Sequence, residues 1–226
     1  MMNKTFILSL GGSLIVPNQI DIKFLKSFKA LIEKFSGKGY KFAIITGGGK
    51  TCRAYQQSLQ ELIGANQEAL DWLGISVTHL NAQLVKSMFI NVHPEIIKNP
   101  TKKINFKSNI VIGAGWKPGN SSDLDAVLVA KNLDAGTIIN LTNIDYVYDK
   151  DPKKFSGAKK IEKISWVDFR KLVGEKWIPG SNLPFDPIAS KKASSLKLKV
   201  IIVNGNNLSN LEKIFLDKDF IGTIIG

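Results

Sequence analysis

Short runs of β-branched and other apolar residues recur along the chain, and each but the last is followed by a turn and then by residues at helical spacing. The runs are Thr5–Leu10, Lys41–Thr46, Asn109–Ile112, Thr137–Leu141, Lys199–Val203 and Gly222–Gly226. Continuous apolar runs of this length predict strands buried on both faces. Between the first two, Phe24, Leu25, Phe28, Leu31, Ile32 and Phe35 fall on one face of a helix, with Asp21 as its cap and Gly37 and Gly39 at its end. Strand and helix alternate to the end of the chain, which predicts an α/β fold, a three-layer α/β/α sandwich around a mostly parallel sheet. In such sheets ligands sit just beyond the carboxyl ends of the strands, so the segments after each run are where chemistry is expected.

At 226 residues the chain is long enough to bury a substantial core, and 44% hydrophobic with 22% charged residues is ordinary for a globular protein. Cys52 is the only cysteine, so no intrachain disulfide forms. No apolar run is long enough to cross a bilayer and the first residues lack a signal-peptide plan, so a cytoplasmic protein is expected. The net charge of +12 comes almost wholly from scattered lysines, with Arg53 and Arg170 the only arginines. Nucleic-acid readers favour arginine forks interleaved with aromatics, so neither a nucleic acid nor a membrane is expected as a partner. The positive field does favour anionic substrates.

Three strand ends carry glycine-rich turns. Gly11-Gly12-Ser13 follows the first strand, where glycines let the backbone approach a ligand and offer amides to phosphate oxygens; a simple tight turn is the alternative. Gly47-Gly48-Gly49-Lys50-Thr51 follows the second and leads into a helix through about Leu62. It is not a Walker loop, because Ile44 stands where that motif needs its first glycine. A helix N-terminus behind glycines still suits an anion, and Arg53 lies in the first turns of that helix. The third turn, Gly113 to Asp123, is not a dinucleotide fingerprint, since Pro118 takes the place of the third glycine. Ser122 to Asp125 fits a capping box for the helix from Leu124 to Leu133, and Asp123 either opposes that helix's dipole or organises catalysis.

Two further segments carry polar groups of interest. From Asn66 to Phe89 a helix is predicted with an apolar stripe of Leu70, Leu73, Val77, Leu80, Leu84 and Met88, and with Asp71, Thr78 and Asn81 set among them. Gly74 inside it costs about 1 kcal/mol relative to alanine, which suggests a close approach by a ligand. The segment Thr142 to Lys153, just after a predicted strand, supplies an amide, hydroxyls, carboxylates and lysines, fit either for a hydroxyl-bearing anionic ligand or for a solvated turn. Several anion sites along one crest suit two phosphorylated ligands face to face, and hence phosphoryl transfer. A phosphate acceptor is already ionised near neutrality and needs no general base. His79 and His93, the only histidines, show no partner in sequence.

Taken in order and spacing, these motifs resemble the amino acid kinase superfamily, and within it the uridylate (UMP) kinases of archaeal type. The resemblance runs over nearly the whole chain. It rests on Gly11 to Pro17, Gly47 to Lys50 with Arg53, Asp71 to Ile75 with Asn81-Ala82, Pro118 to Asp123, Thr142 to Asp145 with Val147 to Lys153, and Asp186 to Lys191. It implies transfer of the γ-phosphoryl of ATP to UMP, with Mg2+ bound through the nucleotide phosphates. It also implies a single kinase domain, with an acceptor lobe over about 1–135 and an ATP lobe over about 136–226, assembled as a homo-oligomer, commonly a hexamer. Carried over by position, Gly12, Ser13, Gly49 and Arg53 approach the ATP phosphates, and Thr142, Asn143, Tyr148 and Asp151 hold the base and ribose. Gly48, Asp71, Trp116, Lys117, Pro118, Gly119, Asn120, Ser121 and Ser122 hold UMP. Asp123 orients catalytic groups, and Lys191, with Arg53, supplies positive charge to the transferred group.

The chain departs from the family pattern at Ser9, where many of these kinases have a lysine, at Tyr146 in place of glycine, and at Asn120 where archaeal members often have histidine. Alternatives are a kinase of another small acid or phosphate, or a non-catalytic nucleotide-binding or storage homologue, which Ser9 would explain.

Overall fold

The computed structural model describes residues 4–104, 108–152, 154–174 and 183–226. Lys153 and the expected loop residues Gly180 to Asn182 therefore lie outside the described residues. The elements run β1 (Thr5–Leu10), α1 (Gly12–Ile15), α2 (Ile22–Ser36), β2 (Lys41–Thr46), α3 (Gly49–Ile63), α4 (Gln67–Ser87), β3 (Ile110–Gly113), α5 (Ser122–Asn132) and β4 (Thr137–Thr142). They continue with β5 (Val147–Tyr148), β6 (Lys160–Ile161), β7 (Lys163–Ile164), α6 (Trp166–Val173), α7 (Pro187–Ser195), β8 (Lys199–Asn204), α8 (Leu208–Phe215) and β9 (Thr223–Ile225). One seven-stranded sheet has the order β3-β2-β1-β4-β8-β9-β7, and β5 and β6 form a separate small pair. The first five strands of that order are mutually parallel, while β9 runs antiparallel to β8 and carries β7 alongside it.

Alternation along β1 divides the core. Phe6, Leu8 and Leu10 face one layer, with α2, α8 and the inner side of α4, where Phe28, Phe35 and Phe215 are fully buried. Ile7 faces the opposite layer, built from α5, α6 and α7 around Phe169 and Phe185. The two-residue side-chain period therefore turns Ser9 toward the layer that holds α5. The predicted cap forms as a hydrogen bond, Asp21 accepting from the amide of Phe24 at 2.9 Å, and Asn66 caps α4 in the same way through the amide of Ala69 at 2.9 Å.

Three expectations are corrected. Leu80 is not part of a buried stripe; it is 66% exposed, and α4 buries Gly74, Val77, Thr78, Asn81, Ala82 and Val85. Gly74 does not face a ligand. A Cβ there would lie 2.8 Å from Gln56 Nε2 and 3.1 Å from Cys52 Sγ, so the glycine lets α3 lie close on α4. The cap of α5 is Ser121, whose hydroxyl accepts from the amide of Leu124, and not a box spanning Ser122 to Asp125.

Candidate active site

Register fixes where the turns go. Leu10 lies level with Thr46 on one side and Leu141 on the other, Ile45 with Gly113, and Thr142 with Asn204. Parallel strands that end level place Gly11, Gly47, Ala114, Asn143 and Gly205 on one rim. Ladder bonds continue into the turns: the amide of Gly11 donates to Leu141 O (3.1 Å), Gly47 to Leu10 O (2.9 Å) and Gly205 to Thr142 O (2.8 Å). The first two glycine turns touch directly. A Cβ on Gly12 would lie 2.2 Å from the amide nitrogen of Gly49, and Gly49 itself has φ +67°, so both positions demand glycine.

Ser13, Lys50, Arg53, Asn143, Pro17 and Asn206 line, with Leu14 and Asp21, a cleft of about 350 Å³ on this rim. It joins the first turn, the start of α3 and the end of β4, segments far apart in the chain. Thr142 stands beside it, its hydroxyl accepting from the amide of Asn143 at 2.6 Å. Tyr148 and Asp151 are not brought into that lining. Tyr148 belongs to the small β5–β6 pair, and Asp151 is exposed. A larger cavity of about 850 Å³ lies elsewhere, between the end of α4 and residues 93–104, and is not where the glycine turns meet.

The other half of the rim is the loop Gly115–Asn120, fastened from α4 and α5. The amide of Gly115 donates to Thr78 Oγ1 (2.9 Å), and its carbonyl accepts from His79 Nε2 (2.8 Å). The amide of Gly119, which has φ +80°, donates to Asp71 Oδ2 at 2.9 Å. Lys117 lies over the Trp116 ring, 4.3 Å from its centroid, and Pro118 completes the turn closed by the bond from Asn120 N to Lys117 O. Ser121 and Ser122 open α5. The buried amide of Asn81 reaches across from α4 to the carbonyls of Gly47 (2.8 Å) and Gly48 (3.4 Å), so one helix braces two turns.

Asp123 lies between the halves. Its Oδ1 accepts from Ser9 Oγ (3.1 Å) and its Oδ2 from the amide of Asp186 (3.1 Å). Burial pushes its carboxyl up to about 6, the bond from the Asp186 amide opposes that rise, and the charge of Asp186 adds to it. Asp186 is itself buried and raised by desolvation. It caps α7 through the amide of Ala189 at 2.6 Å. Lys191 sits further along that helix and is exposed.

The structure thus brings Gly12, Ser13, Gly48, Gly49, Arg53, Thr142, Asn143, Asp71, Asp123 and the residues 116–122 to one rim, while Lys191 is exposed on α7, Tyr148 lies in the β5–β6 pair and Asp151 is exposed outside the cleft lining. Sequence reading missed His79 and Asp186 as rim residues and assigned Asp125 to a cap. For Asp186 the signal was present, since Asp before Pro at a helix start is a capping pattern.

This strand order, with glycine turns at level carboxyl ends, defines a phosphoryl-transfer class of α/β protein, and the chain belongs to the amino acid kinase family, whose model matches residues 4–204. Within that family it is similar to several uridylate kinases. It is 34% identical over 227 residues to the uridylate kinase of Thermoplasma volcanium, covering 99% of this chain and 98% of that one. It is 32% identical to the uridylate kinase of Methanococcus aeolicus, covering 97% and 98%. The crystal structure of uridylate kinase from Archaeoglobus fulgidus superposes with a TM-score of 0.81 at 30% identity, covering 98% of this chain and 99% of that one. The UMP kinase structure from Bacillus anthracis, 20% identical with a TM-score of 0.80, shares the fold.

Proposed function

We propose that this chain is a uridylate kinase that transfers the γ-phosphoryl of ATP to UMP, giving UDP. The observation that carries the reading is the shared rim, where the cleft of Ser13, Arg53 and Asn143 meets, across the Gly12–Gly49 contact, the loop fastened by Asp71. In this reading the half up to about residue 135 holds UMP, through Gly48, Asp71 and residues 116–122. The remainder, with Gly12, Ser13 and Gly49, holds ATP. Thr142, Asn143, Tyr148 and Asp151 take its base and ribose. Arg53, exposed at the cleft, faces the transferred phosphate, and Lys191 reaches it from α7 when the nucleotides are bound. Asp123 holds Ser9 and the start of α7 in place, orienting the groups around the transferred phosphoryl; an ionised phosphate acceptor needs no base.

Both oxygens of Asp123 are engaged by protein donors, and no cluster of three or more His, Cys, Asp or Glu forms among the described residues. Mg2+ carried on the nucleotide phosphates would neutralise charge there. No described helix is long and apolar enough to cross a membrane, and we place the enzyme in the cytoplasm.

Assembly into a homo-oligomer, a hexamer by family expectation, would use α3. Away from its contact with α4, α3 exposes Tyr55, Leu62 and Ile63, and from Ala54 to Gln60 it carries no charge. In a chain of net charge +12, an uncharged apolar face is where a second copy meets least repulsion. Light scattering on the purified protein reports the assembly. Transfer of the γ-phosphoryl of ATP to UMP, CMP, AMP, GMP and small carboxylic acids, measured for each acceptor as its own phosphorylated product, tests the activity. Strong preference for UMP is expected, and ATP binding without transfer to any acceptor would reject it in favour of a non-catalytic homologue.

A further inference from the structure

Asp125 is 1% exposed, and the mechanism above gives it no role. It follows Asp123 by two positions on α5 and so points to a different side of the helix. Its Oδ2 accepts from the amide of Trp116 at 3.0 Å, and its Oδ1 from the side-chain amide of Asn120 at 3.2 Å. One carboxylate therefore ties both ends of the loop Trp116–Asn120, whose middle is held from the other side by Asp71 through Gly119. A buried carboxylate is expensive unless its oxygens are satisfied, so the loop and the acid are mutually dependent.

We propose that Asp125 and Asn120 form a matched pair that presets the acceptor loop, making Asp125 a positioning residue for the nucleoside monophosphate. This rests on reading Trp116–Asn120 as part of the acceptor site. The carboxylate acts before the reaction: it fixes the loop in its binding shape, so no ordering cost falls on the ligand. Its influence belongs in acceptor affinity and not in turnover.

The matched pair gives a reciprocal test. Asn120→Asp sets two carboxylates against each other and is expected to raise KM for UMP about tenfold, with kcat and KM for ATP nearly unchanged. Adding Asp125→Asn restores one donor facing one carboxylate, the new side-chain NH2, while its amide oxygen can still accept from Trp116, and KM is expected to return to within about threefold of the parent. A double variant no better than Asn120→Asp alone overturns the proposal, because a direct contact between Asn120 and UMP would not be repaired from position 125. Should Asn120→Asp fail to fold, Asp125→Val supplies the second arm. It removes both hydrogen bonds, and a fall in kcat with unchanged KM for UMP overturns the idea equally. Asp71→Ala, assayed in parallel, tests the acceptor-site reading separately. Unchanged KM for UMP in that variant would remove the site assignment, whatever the outcome of the swap.

Discussion

The loop Gly115–Asn120, in the half assigned to UMP, is tied by side chains of Asp71, Thr78, His79 and Asp125, most of them on long helices. Across the rim, Asn143 is exposed and the segment after β4 is held largely by its own neighbours and by the bond from Asn204 to Asp145 at 3.0 Å. One wall is braced by side chains from two helices, and the other presents exposed side chains bonded mainly to their own neighbours. Preset donors and acceptors discriminate between ligands because a wrong shape leaves buried groups unpaired, whereas exposed groups adapt at little cost. Acceptor choice should therefore be stricter than donor choice.

Asp123 belongs to neither wall, and its replacement gives the largest expected effect. Asp123→Asn should lower kcat by about two orders of magnitude or more, with KM for UMP within a few-fold. Loss of stability with normal turnover in the folded fraction would return Asp123 to a structural role. Because its carboxyl ionises at about 6, kcat of the parent should fall as pH drops through that value, and this limb should be missing from the variant's profile.

The comparison between walls is sharpened by two smaller changes. Asp71→Ala should raise KM for UMP by about tenfold to a hundredfold and leave ATP untouched. Asn143→Ala should raise KM for ATP by only about fivefold, since an exposed amide loses less than a preset one. If the order of these two effects is reversed, the contrast between the walls is broken.

The smallest effect concerns stability. Burial lifts Asp125 to about 6, so above that pH the folded protein carries a charge it holds less readily than the unfolded chain. The cost, on the order of 3 kcal/mol, is complete above the folded value and is relieved as pH falls toward the ordinary value near 4. Urea titrations between pH 8 and 4 should show Asp125→Asn with a shallower gain on acidification than the parent.

The layered sheet, the capping residue Asp21 and the gathering of glycine turns were legible because periodicity and strand ends are local properties. Gly74 was misread because a conformational cost is visible in a sequence while the neighbour that needs the space is not; here that neighbour is α3. Asp125 was misread for a related reason. Its spacing from Ser122 fits a cap, but its partners Trp116 and Asn120 are set by how the preceding loop folds back. Ser9 was read as a missing cation, and the structure adds what replaces it, a hydroxyl bonded to Asp123, because strand alternation turns it toward α5.

At Gly12 and Gly49 the first two glycine turns press backbone against backbone. Such a contact has no side chain to flex, so displacement of either turn must shift the other. Occupancy on one side would thus be communicated to its neighbour as a mechanical push, over the shortest path a polypeptide can provide.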